Sequence, residues 1–368
     1  MSLVVFGAGA IGRGLLGELA AQAGWPVVFI EKQPEFARQL AAAGQYTVRL
    51  VGRGESVTRV TNYRVLTAPD TATIAAAVRD CELAATAVGG EQLGVVAGLL
   101  APALRERAKS LPVLVCENWS RADAVLTEAL TRAGAAPDAF FCVPVSVERM
   151  VQRTAGLDLV GENGETGWVP TTVPLPGLRV CADLTPYYAR KLYTNNAGHA
   201  LLAYEGFWAG HATLCAALAE PTIRTRLEAL LAVAAGMLQR EYGIAADALR
   251  EHVDCLVRYR FANTALADRV ERVARQPLRK LGPQERLVGL LRRAEKHGLP
   301  AMPVCRAIAA ALHYDDPRDA ESRQLQARVR ADGPGRVLQE VCGLHPEEEN
   351  HRLCLAEWTA MNRPKEKP

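Results

Sequence analysis

The sequence predicts an α/β protein in two parts: a doubly wound parallel sheet with extra strands, followed by an all-α domain. Three observations carry this expectation. At 368 residues the chain exceeds one ordinary core, so two domains are expected. Its first 150 residues alternate short β-branched runs with helical stretches, the pattern of parallel strands joined by crossover helices. From Tyr187 onward helical periodicity dominates, broken at Gly243, Gly282-Pro283, Gly298-Leu-Pro300, Asp316-Pro317, Gly333-Pro334 and Gly343. The boundary falls near Thr185-Pro186, giving domains 1–185 and 186–368.

The first strand is Leu3-Val-Val-Phe6, and Gly7-Ala-Gly-Ala-Ile-Gly12-Arg-Gly14 follows at once. Residues 15–23 read as a helix ending at Gly24, and Val27-Val-Phe-Ile30 is a second strand closing on Glu31. Strand, GxGxxG, helix, strand and terminal acid together form a dinucleotide-binding βαβ unit, so the sheet is of Rossmann type. Gly7 permits the tight turn, Gly9 lets backbone approach a pyrophosphate, and Gly12 allows the helix to pack on the strand. The pyrophosphate is expected at the helix N-terminus, along Gly7, Ala8, Gly9, Ala10, Ile11 and Gly12. Glu31 is placed to accept hydrogen bonds from ribose hydroxyls and to repel a 2′-phosphate, which favours NAD over NADP.

Residues 34–43 read as helix, and residues 46–50 and 57–65 as an extra hairpin around Gly52 and Gly54. A helix over 69–78 would carry Pro69 in its first turn. Leu83-Ala-Ala-Thr-Ala-Val88 is a buried strand ending at Gly89-Gly90, residues 93–108 an amphipathic helix, and Pro112-Val-Leu-Val-Cys116 a strand ending on Glu117-Asn118. Ligands gather beyond the carboxyl ends of such strands, so residues 86–90, with Thr86, Val88 and Gly89, and Glu117-Asn118 are expected to line the cofactor and substrate cleft. Asn118 has a second reading, as the cap of a helix over 121–133. Residues 140–147 form a further strand, and the glycine- and proline-rich segment 155–180 suggests irregular strands extending the sheet. Residues 363–368 read as a frayed tail.

Composition narrows the class. Apolar residues are 49% and charged residues 23%, as in globular proteins, and the net charge of +3 implies no nucleic acid or other polyanion as partner. Nine cysteines without a CxxC pair suggest reduced thiols in a cytoplasmic protein. No apolar run reaches the roughly 18 residues of a membrane span, and no secretory leader opens the chain. A cytoplasmic enzyme acting on a small molecule is expected. The oligomeric state is left open.

A bound nicotinamide implies hydride transfer, which needs a proton acceptor for the alcohol and donors for its oxygen. No residue set has zinc-binding spacing. Cys116, Cys142 and Cys181 read as small hydrophobes at strands, and His211, His252 and His313 stand alone on helices. Tyr187-x-x-x-Lys191 matches the Tyr/Lys spacing of short-chain dehydrogenases but lacks their upstream serine, so it reads as chance. What remains is a lysine whose pKa is lowered by burial, with carboxamides as an oxyanion hole. Lys191-Leu-Tyr-Thr-Asn-Asn-Ala-Gly-His199 supplies these groups and runs into an apolar helical pattern, so the helix is expected to be buried. At about 100° per residue, Lys191 and His199 would lie roughly 80° apart, with Asn195 between them and Asn196 further round. Asn118 could complete the hole. Downstream, Arg258, Arg260, Arg269, Arg272, Arg275, Arg279 and Lys280 form either a solvated face or a cationic pocket for a phosphorylated or acidic substrate.

Taken together, Gly7-Ala-Gly-x-Ile-Gly-Arg-Gly14, Thr86-Ala-Val-Gly89, Cys116-Glu-Asn118, Lys191-Leu-x-Thr-x-Asn-x-Gly-His199 and Val270-Glu-Arg-Val-x-Arg-Gln-Pro-Leu-Arg-Lys-Leu281 resemble the mannitol-1-phosphate 5-dehydrogenases. These are a bacterial branch of the polyol-specific long-chain dehydrogenases. The resemblance spans nearly the whole chain. It implies metal-independent interconversion of D-mannitol 1-phosphate and D-fructose 6-phosphate with NAD. By position, Lys191 would be the general acid/base, Asn196 with Asn118 would hold the reacting oxygen, and His199 would orient substrate or lysine. The resemblance also places Glu148, Arg149, Arg275, Arg279 and Lys280 beside the substrate. It favours Asn196 where helix angles favour Asn195. Three positions depart from the pattern: Ala10 for a usual Asn, Glu148 for a usual Asp, and Thr264 for a usual Pro. Related hexuronate reductases acting on tagaturonate or altronate, and dehydrogenases of unphosphorylated mannitol, are the alternatives within the superfamily. An idle NAD-binding sensor is the alternative outside it, disfavoured by the intact Lys191, Asn196 and His199.

Overall fold

Apolar runs too short to bury anything alone assemble into one central sheet. Its strands are β1 (Leu3–Phe6), β2 (Val27–Glu31), β3 (Tyr63–Thr67), β4 (Leu83–Thr86), β5 (Leu111–Val115) and β6 (Phe140–Pro144). Their spatial order is β3-β2-β1-β4-β5-β6, and every neighbouring pair is parallel. Side chains alternate between faces: Leu3 and Val5 join one core with Leu15, Leu16 and Phe29, whereas Val4 and Phe6 join another with Ile74, Leu100 and Val113. Both faces are covered, which is why each strand reads as an unbroken apolar run. The order turns back between β1 and β4, so a crevice opens beyond the carboxyl ends of those two strands.

The computed structural model describes residues 1–119, 121–266 and 268–362. The chain divides into two units, Met1–Leu184 and Thr185–Pro368. The tail expected over residues 363–368 lies outside the described residues.

Several boundaries differ from the sequence reading. The run 57–65 is two strands, not one. Ser56–Val60 pairs antiparallel with Tyr46–Gly52, while Tyr63–Thr67 becomes β3 beside β2. The change of partner occurs at Thr61-Asn62, where the Asn62 carbonyl accepts the Val27 N–H at 3.0 Å. Residues 140–147 also divide, because Val145 donates to Val115 whereas Ser146 pairs with Trp168. The strands within 155–180 do not extend the central sheet. Leu159–Asn163 joins Val151–Arg153 and the hairpin in a four-stranded sheet, and Gly167–Val169 joins Ser146–Val147 and Arg179–Val180 in a three-stranded one. Pro69 precedes its helix, Thr71–Asp80, because the Asp70 carboxylate closes a turn on the N–H and hydroxyl of Thr67. The helix Leu93–Leu104 is apolar nearly all round, not amphipathic; it packs against the helices Thr71–Asp80 and Ala122–Arg132 and leaves Val95 exposed. A β-branched run marks a strand; it does not say with which strand it pairs.

The second unit is helical. A continuous helical stretch over 185–209 ends in Ala197–Ala209, which touches Leu214–Ala219, Pro221–Tyr242, Val270–Ala274 and Met302–Leu312. Ala307, Ala309, Ala310 and Ala311 are fully buried, and their small side chains let Met302–Leu312 sit close to its neighbours. The helical run Ala320–Glu340 breaks at Gly333-Pro334 as expected: Gly333 takes φ 77°, ψ 161°, outside the helical range, and a second helical segment follows it. Among the described residues no helix is long and apolar enough to cross a membrane.

Candidate active site

The glycine turn follows β1 directly. Gly7 has φ 98° and donates to the Ile30 carbonyl at 2.8 Å, and a Cβ there would meet the Ala87 carbonyl oxygen at 2.5 Å. A Cβ on Gly12 would lie 1.9 Å from the Gly7 oxygen. The turn therefore closes only without those side chains. Gly7 and Gly9 open onto a groove also lined by Glu31, Lys32, Val88 and Arg153. Such a cradle of bare backbone with an acid at the end of β2 fits a dinucleotide.

Glu31 is buried and held. Its carboxylate accepts the Ala8 N–H at 3.1 Å and the Gln33 N–H at 3.0 Å, one on each oxygen. Each oxygen keeps a further lone-pair direction for a ribose hydroxyl. Ala10 and Ile11 are half-buried at the start of the helix. Val88 lines the groove, but Thr86 is fully buried at the end of β4 and its hydroxyl has no partner among the described residues. Glu117, expected in the cleft lining, has partners that the sequence does not indicate. Its carboxylate accepts the N–H groups of Val88 at 3.0 Å and Gly89 at 2.8 Å, tying the loop after β4 to the loop after β5. Asn118 beside it is exposed and does not cap the following helix, Ala122–Arg132, whose N-cap position is Arg121.

Glu148 and Arg149 are both buried. The Ser146 hydroxyl donates to Glu148 at 3.2 Å, and Arg149 donates to Glu18 at 2.8 Å. Glu18 is fully buried, so Arg149 braces the glycine-rich helix from within the N-terminal unit. The signal for this was an acid inside an otherwise apolar helix.

In the helical unit, Lys191–Asn196 is a π-helical stretch between α-helical segments. This corrects the angles expected from an ordinary helix. At 100° per residue a position five residues on lies roughly 140° away, but an i→i+5 turn brings it nearly back into line. Lys191 and Asn196 thus share a column, and His199 falls in it once the extra residue is discounted. Burial agrees: between residues 191 and 206, Lys191, Leu192, Asn196 and His199 are partly exposed, and Asn195 is buried. The Thr194 hydroxyl donates to the Arg190 carbonyl at 2.6 Å and accepts from His252 Nε2 at 2.9 Å, fastening the turn. His252 is thereby assigned a partner, and so is His211, which pairs with Glu220 at 2.8 Å in the turn after the helix. His313 stacks on Trp358.

His199 Nδ1 lies 2.9 Å from the Asn195 carbonyl, which can only accept, so Nδ1 carries the proton and Nε2 keeps its lone pair. The Phe261 ring meets the imidazole edge-on at 4.8 Å, and a Cβ on Gly198 would strike that ring at 2.7 Å. Burial, and then the Arg260 guanidinium, push the His199 pKa down to about 3. The imidazole is neutral at physiological pH.

Of the basic run, Arg275 and Arg279 are exposed, whereas Lys280 is buried and donates to the Val273 carbonyl. Burial, Arg286 and Arg279 bring the Lys280 pKa down to about 7. Arg286, which sequence reasoning did not single out, also lies within electrostatic reach of His199 and pairs with Glu285 at 2.9 Å. It links the basic segment to the Lys191 helix. Among the described residues no group of three His, Cys, Asp or Glu side chains could hold a metal ion.

Two family models match the chain: the mannitol dehydrogenase Rossmann domain over residues 1–149, and the mannitol dehydrogenase C-terminal domain over residues 183–342. A mannitol-1-phosphate 5-dehydrogenase from an Arthrobacter species is 34% identical, over 94% of this chain and 94% of its own. Another, from Bacillus pumilus, is 33% identical over 98% of this chain and 100% of its own. Among solved structures, the Pseudomonas fluorescens mannitol 2-dehydrogenase ternary complex with NAD and D-mannitol has a TM-score of 0.74 at 17% identity, covering 98% of this chain and 91% of that one. A D-sorbitol dehydrogenase in substrate-free form has a TM-score of 0.79 at 18% identity, covering 98% and 92%. At these identities the likeness to the two structures is one of fold.

Proposed function

Since the chain belongs to the mannitol dehydrogenase family, an NAD-dependent group of polyol oxidoreductases, we propose that it interconverts D-mannitol 1-phosphate and D-fructose 6-phosphate without a metal. Residues 1–185 hold the nucleotide in this reading, and residues 186–368 the substrate and the proton-transfer groups. One observation carries it: along the buried helix after residue 190, the polar side chains left partly exposed are Lys191, Asn196 and His199.

Gly7, Gly9 and Gly12 would hold the nucleotide and Glu31 its ribose, and when bound it would supply the hydride acceptor. The Lys191 amine takes the proton of the C5 hydroxyl as the C5–H bond is lost, leaving a ketone. Asn196 donates its carboxamide N–H to the oxygen, whose charge grows in the transition state. His199 Nε2, unprotonated because Nδ1 carries the proton, accepts a hydrogen bond from the lysine ammonium or the substrate hydroxyl, with the Asp268 carboxylate 3.9 Å away. Arg279 and Lys280 meet the phosphate, with Arg275 at their side. Asn118 belongs to the nucleotide end.

Initial rates of NADH oxidation on fructose 6-phosphate, fructose and tagaturonate test the reading, with and without a chelator. Fructose 6-phosphate is expected to be reduced far faster than the other two, and the chelator to change nothing. Equal or faster turnover of fructose or tagaturonate would discard the phosphorylated substrate, and loss of activity with chelator would discard metal independence.

A further inference from the structure

The nucleotide groove is lined by a cation that the scheme above leaves without a task. Arg153 ends the strand Val151–Arg153 in the four-stranded sheet, outside the glycine fold, and its side chain is exposed. Its Nη2 lies 3.4 Å from where a Cβ on Gly9 would stand. In a turn of this kind, Gly9 is the place where backbone approaches the pyrophosphate. The guanidinium carbon is 5.6 Å from the centre of the Phe36 ring, on the helix that follows Glu31, so the ring steadies the fork.

Arg13 shares that ring at 5.1 Å but is fully buried, with hydrogen bonds to the Ala8 and Leu157 carbonyls. Arg153 differs: among the described residues no carboxylate pairs with it. An exposed guanidinium, propped on a ring, beside a bare glycine turn and without an internal anion, is arranged for an anion from outside.

We propose that Arg153 grips the pyrophosphate of the dinucleotide, clamping it against Gly9 from a second sheet. This deepens the NAD reading and rests on it. The position over Gly9, together with the absence of an ion pair to Glu31, assigns the contact to the pyrophosphate and not to a ribose 2′-phosphate.

The test uses the full-length protein and fluorescence or calorimetric titration with NADH, NADPH, ADP-ribose and adenosine. Arg153→Gln, which keeps an extended polar side chain without the charge, should weaken NADH and ADP-ribose roughly 10- to 100-fold, as for a lost charge-assisted contact. Adenosine, which lacks the pyrophosphate, should bind both proteins alike. Arg153→Lys should recover part of the loss. Unchanged affinity for NADH and ADP-ribose in Arg153→Gln would overturn the proposal, and so would a loss confined to NADPH. A parent protein that binds none of the dinucleotides would instead overturn the NAD reading beneath it.

Discussion

Of the three π-helical stretches among the described residues, Gly12–Gly17 in the N-terminal unit and Lys191–Asn196 in the helical unit present opposite materials. Around Gly12 every side chain is buried or absent, and what faces the groove is backbone. Around Lys191 the backbone is closed on itself, and what faces outward is a lysine, a carboxamide and an imidazole. A backbone site depends on where a Cβ cannot be. A side-chain site depends on register, and one extra residue per turn sets it. In the proposed function the first would recognise a group common to many ligands, whereas the second would act on one bond.

That contrast can be broken by substitution. Lys191→Ala should lower turnover by roughly two to four orders of magnitude, the usual weight of a general acid/base, and leave NADH binding intact. Single-turnover rates beside NADH titration would show it; near-normal rates would remove the lysine from the chemistry. Gly12→Ala should do the reverse. Its Cβ would stand 1.9 Å from the Gly7 oxygen, so the turn must move, and NADH affinity should fall more than about tenfold, or the unit should be destabilised by several kcal/mol. Unaltered affinity and melting temperature would mean that the turn tolerates a side chain.

Arg149→Met sharpens the comparison from the structural side. It leaves Glu18 charged and buried, which should cost about 3–5 kcal/mol in denaturant unfolding. A variant of unchanged stability but raised KM for fructose 6-phosphate would move Arg149 from brace to substrate contact. The smallest effect expected is one of pH. Lys280 has its pKa lowered to about 7, so its charge is present below that pH and lost above it. The KM of Lys280→Met for fructose 6-phosphate, divided by that of the parent, should be largest near pH 6 and approach one at alkaline pH. A ratio independent of pH would exclude Lys280 as a titrating phosphate ligand.

Much of the first unit was legible because glycine and β-branched residues act locally. The turn at Gly7, the strand pair β1 and β2, and the acid at Glu31 each follow from a few consecutive residues. The strand partners did not follow: residues 57–65 look continuous, and only the Val27–Asn62 hydrogen bond shows where the chain leaves one sheet for another. In the second unit the helices were visible, but Lys191, Asn196 and His199 were grouped only through the family resemblance, because angles drawn at 100° put Asn195 forward. Arg286, the Glu18–Arg149 pair and the partners of Glu117 were missed for a related reason. Each joins segments far apart in sequence, and a charged residue does not announce its distant partner.

By itself, then, the order of amino acids determined which segments are strands and helices, where backbone must come close, and which residue types are at hand for proton transfer. These are properties of neighbours, fixed by sterics and by apolar periodicity. Only the tertiary structure decided the extra residue in the turn at Lys191, the proton on His199 Nδ1 and the placing of Arg153 over Gly9. Those depend on what packs against each segment, and packing is settled by the whole fold at once.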